Sequence, residues 1–344
     1  MADLDVGLIG AGGIARTHLP AWTALGARVT ILSTDGNARP LADRYRESGV
    51  TAVDSLPELL DRSTVVDLCT PTFTHQELAL AAIAAGRHVV CEKPLALSVA
   101  GARAMADAAE AAGVLLLPAH VVRYFPAYTA LASAVAAGRV GAPAVLRLTR
   151  SGRFPVWAPW FADPALSGGI LVDQMIHDLD LARLLAGDVV RVHAQVRGRQ
   201  AADPPEGAVT TGTAVLTHAS GALSHVLGVW GPPDLPFRTT FRVAGPDGIL
   251  EHDSATPTGF RVLAQGRRPV GEGIPGSPMT ESPYLTELRE FAAAVTGGPA
   301  PRVSARDGVE AVRIAVAAAE SARTGDPVEL GGPRRPTTDP AAGS

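Results

Sequence analysis

A short apolar strand, Leu4 to Ile9, runs directly into Gly10-Ala11-Gly12-Gly13-Ile14-Ala15 and then into a helical pattern reaching about Leu25. The first glycine permits a tight turn, the second lets a ligand approach the backbone, and Ala15 lets the helix lie close on the strand. A helix N-terminus also offers free amides and positive potential to an anion. Gly10, Gly12, Gly13 and Ile14 are therefore candidate pyrophosphate contacts of a bound dinucleotide.

The next segments repeat the strand–helix unit. Arg28 to Ser33 is a strand, Asn37 to Ser48 a helix, and Ser55-x-x-Glu58 opens a short helix by a capping box. Thr64 to Thr70 is a strand, and Thr74-x-x-Glu77 is expected to cap the helix that ends at Gly86. His88 to Glu92 is a strand, Ser98 to Ala112 a helix and Val114 to Ala119 a strand. Such alternation predicts an α/β domain, a doubly wound parallel sheet of Rossmann type. Ligands bind off the carboxyl ends of its strands, where Gly10, Asp35, Thr70, Pro71, Thr72, Lys93 and His120 fall. Asp35 is the candidate for the ribose hydroxyls, which favours NAD. An ordinary turn in Asp35-Gly36-Asn37 is the competing reading, and NADP stays open.

Beyond residue 125 the rhythm changes. A helix spans Tyr128 to Ala137 and a strand Ala144 to Ser151. A Pro/Trp stretch covers Phe154 to Pro164, and a helix runs from Gly169 to about Leu185. Strand patterns follow near 189–198, 208–217, 221–230, 237–244 and 259–264. Helices at Glu281 to Thr296 and Asp307 to Arg323 close the chain. This predicts an α+β second domain with a large, mainly antiparallel sheet. The expected division is 1–122, 123–330 and a disordered tail at 331–344.

Lys93 is the only lysine in a chain with 30 Lys+Arg. An ammonium is a compact point donor, unlike the broad guanidinium fork. It stands at a strand end, before a proline. Asp173 and His177 are spaced i, i+4, so they are expected to share one face of the helix, where the carboxylate can orient the imidazole and raise its pKa. A surface ion pair is the alternative. Trp157 and Trp160 either stack on a sugar ring or fill an interdomain core. Arg123 and Tyr124 either line a cleft or pack a linker. His18 and Trp22 are expected to be packing or surface residues. No histidine has metal-ligand spacing, so no metal is expected.

Taken together, Glu92-Lys93-Pro94, Gly168 to Asp180, Pro283-Tyr284-x-x-Glu287-x-x-x-Phe291, Asp307-Gly308 and Glu320-Ser321-Ala322 resemble the Gfo/Idh/MocA family of NAD(P)-dependent oxidoreductases. The resemblance covers nearly the whole chain. It implies that Lys93 meets the substrate hydroxyl and the nicotinamide, that Asp173 and His177 complete the catalytic group, with either His177 or Lys93 moving the proton, and that Pro71, His75 and Glu92 lie near the cofactor. It implies substrate contacts at His120, Arg123 and Trp160, and a cis Lys93–Pro94 bond. It also implies reversible oxidation of a secondary hydroxyl on a polyol, cyclitol, sugar or sugar derivative, and a homodimer or homotetramer through the second sheet. The same resemblance admits an NAD-dependent glycoside hydrolase working by transient redox, and a non-catalytic nucleotide-sensing regulator. Ile170, the Gln-Met-Ile insert and Val121-Val122 depart from the usual motifs.

A net charge of −4 gives no basic footprint, which argues against nucleic acid. No signal-peptide pattern precedes the first strand, and no apolar run reaches about 18 residues, which argues against a membrane. Two cysteines, Cys69 and Cys91, are expected as buried reduced thiols in a cytoplasmic protein.

Overall fold

The periodicity of the first third resolves into a parallel sheet. The computed structural model describes residues 4–198, 209–256, 261–264 and 281–331. Strands β1 (Asp5–Ile9), β2 (Arg28–Leu32), β3 (Thr51–Ala52), β4 (Val65–Leu68), β5 (His88–Glu92) and β6 (Leu116–Ala119) pair in the order β3–β2–β1–β4–β5–β6. Every pairing is parallel. Helices α1 (Ala15–Ala24), α2 (Ala38–Arg44), α3 (Leu56–Asp61), α4 (His75–Ala84) and α5 (Val99–Ala112) make the connections. Strand order reverses between β1 and β4, which opens a crevice at their carboxyl ends. β4 and β5 are buried along nearly their whole length, as strands covered on both faces must be.

α6 (Pro126–Ala136) follows, and then a second sheet. It contains β7 (Val145–Arg153), β8 (Val189–Arg197), β9 (Thr210–His218), β10 (Leu223–Gly231), β11 (Arg238–Gly245), β12 (Gly248–Asp253), β13 (Arg261–Ala264) and β14 (Val328–Glu329). The order is β13–β12–β11–β7–β10–β9–β8–β14. β7 and β10 run parallel, and the other pairings are antiparallel. Between β7 and β8 lie α7 (Pro164–Ser167), α8 (Gly169–Asp173) and α9 (Ile176–Ala186); α10 (Pro283–Val295) and α11 (Ala305–Thr324) close the chain. α8, α9 and α11 pack on the second sheet, while α10 returns to α1 and α11 also touches α5 and β6. Leu288 and Phe291 of α10 share a core with Leu8, Leu19, Trp22 and Ile31. Each such fully buried side chain stabilises by about 1.5–3 kcal/mol.

Four expectations are corrected. The helix expected from Gly169 to Leu185 breaks at Gln174 and Met175. Met175 packs where Cβ atoms would stand on Gly212 and Gly228, so two glycines in neighbouring strands make room for the break. β12 was not anticipated, because Gly245-Pro246-Asp247-Gly248 is a two-residue hairpin rather than a strand-ending loop. Thr74 does not cap α4. Its hydroxyl lies 2.8 Å from the Pro71 carbonyl and 2.7 Å from the Thr70 hydroxyl, inside a 3-10 turn. β3 and β14, each two residues long, were too short for a periodicity to show. The expected tail beyond Gly331 and part of the strand expected at 259–264 lie outside the described residues.

Candidate active site

β5 ends at Glu92, and the chain turns through a cis Lys93–Pro94 bond. Lys93 Nζ donates to the Asp173 carbonyl at 2.8 Å and to its Oδ1 at 3.1 Å. Both side chains are mostly covered, at 16% and 11% exposure. α8 thus hands its last residue to the amine at the end of β5. The Lys93 backbone N–H donates to Glu92 Oε2 at 3.1 Å, which ties the turn from behind.

His177 sits one turn beyond the helix break, half-buried, and its Nδ1 has no hydrogen-bond partner. Burial, then the charges of Lys93, Arg150 and His120, push its pKa well below the ordinary imidazole value. The expected Asp173–His177 pair is therefore not formed: Asp173 serves Lys93, His177 Nδ1 is unpartnered, and the imidazole is depressed rather than raised. Arg150 is not free to pair with it, because Nε and Nη2 donate to Asp178 at 2.8 and 3.2 Å.

His120, at the end of β6, is 1% exposed, and neither ring nitrogen has a hydrogen-bond partner. Its Nδ1 lies 3.7 Å from Asp180. Burial lowers its pKa against the pull of Asp180. Arg123 donates to both Asp180 oxygens, at 2.7 and 2.5 Å, and to the Arg302 carbonyl at 3.1 Å. With Tyr124 also buried, the linker-packing reading of this pair prevails, and the expected Arg123 substrate contact has no free donor fork to make it.

Pro71 and Thr70 form the rim beside α4. His75 is buried, with Nδ1 2.8 Å from the Pro94 carbonyl and Nε2 2.9 Å from the Thr70 carbonyl. It therefore bridges the β4 rim to the Lys93–Pro94 turn. Burial lowers its pKa, and a neutral ring donates to only one of those carbonyls. Trp160 stacks on Phe161 at 3.9 Å and meets the edge of Phe73 at 6.5 Å. Phe73 is exposed in the turn after Pro71, so the Pro/Trp stretch reaches the same rim.

The glycine turn fits a dinucleotide. Gly10 has φ +112°, and a Cβ there would stand 2.4 Å from the Cys69 carbonyl oxygen. At Gly12 and Gly13 nothing lies within 4 Å of an added Cβ, so this face is open to a phosphate. Ile14 leads into α1. Asp35 is exposed at the end of β2, fixed by the Ser33 hydroxyl and by Asn37, whose amide donates at 2.8 Å. The Ser33 bond, above the others, lowers its pKa.

Residues 4–120 match the family model described as an oxidoreductase family with an NAD-binding Rossmann fold, and residues 128–251 match the GFO/IDH/MocA C-terminal domain. The 1,5-anhydro-D-fructose reductase of Ensifer adhaerens is 31% identical, over 94% of this chain and 98% of that protein. The chain belongs to the GFO/IDH/MocA oxidoreductase family. Myo-inositol 2-dehydrogenase of Thermotoga maritima is 30% identical over 92% of this chain and 96% of its own. Levoglucosan dehydrogenase, solved with NADH and L-sorbose, superposes with a TM-score of 0.82 at 25% identity, covering 96% of this chain and 100% of that one. The chain is thus an oxidoreductase with an NAD-binding Rossmann domain.

Sequence reasoning missed the polar residues beneath this GFO/IDH/MocA site. His18, expected as packing or surface, is fully buried among Asp67, Cys69 and Glu92. The available signal was Asp67, a carboxylate within the apolar run of β4. Cys69 and Cys91 are buried free thiols.

Proposed function

We propose that the chain catalyses reversible oxidation of a secondary hydroxyl on a polyol, cyclitol, sugar or sugar derivative, with residues 1–122 holding the nucleotide and 123–330 the substrate. The observation that carries this reading is the contact of Lys93 Nζ with Asp173 at the end of β5, with His177 on the following helix within reach of the Lys93 charge. Relatives named as inositol, xylose and levoglucosan dehydrogenases support the substrate class.

When bound, the nicotinamide supplies the hydride acceptor. Lys93 donates to the substrate oxygen and stabilises the alkoxide as it forms. His177, held uncharged by its surroundings, takes the hydroxyl proton. Asp173 orients the Lys93 amine and accepts a neighbouring substrate hydroxyl. His120 is too buried for substrate contact and backs the site beside Asp180. Trp160, with Phe73 and Phe161, offers an aromatic face to a sugar ring.

Leu223 and Leu227 are both exposed on one face of β10, while Val226 and Trp230 of that strand are buried. We infer that this face pairs two copies, giving a homodimer or homotetramer. Among the described residues no helix is long and apolar enough to cross a membrane. We infer a cytoplasmic setting from the two buried free thiols. Screening NADH and NADPH formation across inositols, aldoses, anhydrosugars and nucleotide sugars tests the function. Reduction of nucleotide by at least one of them supports it, and silence across the panel in a protein that binds NADH overturns it.

A further inference from the structure

Behind Lys93 lies a buried polar cluster that the proposed reaction does not use. His18 Nδ1 is 2.9 Å from Asp67 Oδ2 and 3.5 Å from Cys69 Sγ. Trp22 Nε1 donates to the same Asp67 oxygen at 2.7 Å. The other ring nitrogen, Nε2, lies 3.3 Å from Glu92 Oε1. Glu92 Oε2 accepts the Lys93 backbone N–H. A run of contacts thus leads from β4, through the imidazole of α1, to the turn that carries the amine; its His18–Glu92 step is a charge contact without hydrogen-bond geometry.

The path is sealed from water by α10. Tyr284 places its ring 6.0 Å from that of His18, and Glu287 is fully buried with neither carboxylate oxygen hydrogen-bonded. Burial opposes a charge on His18, and Cys69 and Asp67 outweigh it, so the ring titrates well above its ordinary value. Burial drives the Cys69 thiol up in turn, which leaves Asp67 as the anion His18 pairs with. The ligand atoms of His18, Asp67 and Cys69 lie within 4.8 Å of one another. The bonds from Nδ1, Trp22 and the thiol already occupy the Asp67 carboxylate, so the cluster is accounted for by hydrogen bonding.

We propose that His18 is a positioning residue for Lys93, acting through Glu92. The imidazole, fixed by Asp67, which Trp22 braces in turn, holds the Glu92 carboxylate by charge, and the carboxylate fixes the backbone from which the amine projects. Groups that orient a reacting side chain matter because small displacements are costly in rate. This rests on the reading of Lys93 as the group that meets the substrate oxygen.

The sole lysine makes the test specific. Acetic anhydride labelling, read by mass spectrometry on the peptide containing residue 93, follows one side-chain amine in the full chain. His18→Gln and Glu92→Gln are each expected to label severalfold faster than wild type as the Asp173 contact loosens. The double variant is expected to label no faster than the faster single one, because both act on one path. Leu19→Ala, a buried core change on the same helix, is expected to lower the Tm yet leave the labelling rate within about twofold of wild type. A wild-type labelling rate in folded His18→Gln, an equal acceleration in Leu19→Ala, or additive effects in the double variant would each overturn the proposal. Should His18→Gln fail to fold, Glu92→Gln alone decides: acceleration supports the proposal and an unchanged rate overturns it. Labelling reports where Lys93 is held, whatever it does in turnover, so failure here is distinct from failure of the catalytic reading.

Discussion

Lys93 Nζ bonds to both the backbone carbonyl and the carboxylate of Asp173, a residue 80 positions away. One ammonium therefore closes the junction between the nucleotide sheet and the helix pair lying on the second sheet. The ammonium makes both contacts from a single nitrogen, where a guanidinium would need the wider spread of its planar fork.

The half-buried His177 imidazole is depressed by burial, then by Lys93, Arg150 and His120. The base form is therefore present at neutral pH, and the acid limb of the kcat/KM profile should lie below the ordinary imidazole value of about 6.5. His177→Ala should lower kcat about 100-fold and remove that limb. A variant whose pH–rate profile matches wild type would move the base elsewhere.

Six imidazoles, His75, His88, His120, His177, His218 and His252, titrate below their ordinary value, chiefly through burial. Between each folded value and about 6.5 the unfolded chain binds the extra proton, so stability is lost as pH falls through that window. His18 acts in the opposite sense: its folded value is raised, and its contribution is lost only as pH rises through that value. Glu287, its carboxyl raised by burial, acts with His18 by gaining stability as pH falls; six against two, the Tm should fall between pH 7 and pH 5. Thermal unfolding followed across that range checks it, and a flat Tm would contradict it.

Arg123 and Asp180 form a buried two-pronged pair. Arg123→Ala should cost about 3–5 kcal/mol in urea unfolding, because it strands the Asp180 charge. NADH affinity of the folded variant should be unchanged. A loss below about 1 kcal/mol would mean that water already reaches the pair.

On the reading of Asp35 as the ribose contact, its carboxylate, braced by Ser33 and Asn37, favours ribose hydroxyls over a 2′-phosphate. Wild type should bind NADH in preference to NADPH. Asp35→Ala should weaken NADH about tenfold, matching about 1.4 kcal/mol of charged hydrogen bonding, and narrow the preference. Fluorescence titration with both nucleotides decides, and tighter NADPH binding in wild type would contradict the assignment.

Much of this was legible in the residues. The glycine turn, the alternating units and the switch to strand runs specify both sheets, because periodicity and turn chemistry are local. Lys93 stood out by its uniqueness, and Asp173 and His177 by their spacing. The spacing misled about their partnership. A helix break depends on Gly212 and Gly228, 37 and 53 positions beyond Met175 in other strands, and no local pattern reports them. Arg123 misled for a related reason: its partner Asp180 is distant in sequence, so a buried ion pair and a cleft cation look alike from the chain. The His18 cluster draws on α1, β4, β5 and α10 together, and only the folded arrangement joins them.

The most direct measurement is NADH formation by Lys93→Met, compared with wild type on whichever alcohol the wild type oxidises, alongside NADH binding by fluorescence. The expected result is retained NADH affinity with kcat lower by about 100- to 1,000-fold, the size of effect seen when a donor to a developing oxyanion is removed. A Lys93→Met enzyme with near-wild-type kcat would contradict the assignment of that amine to the reacting oxygen.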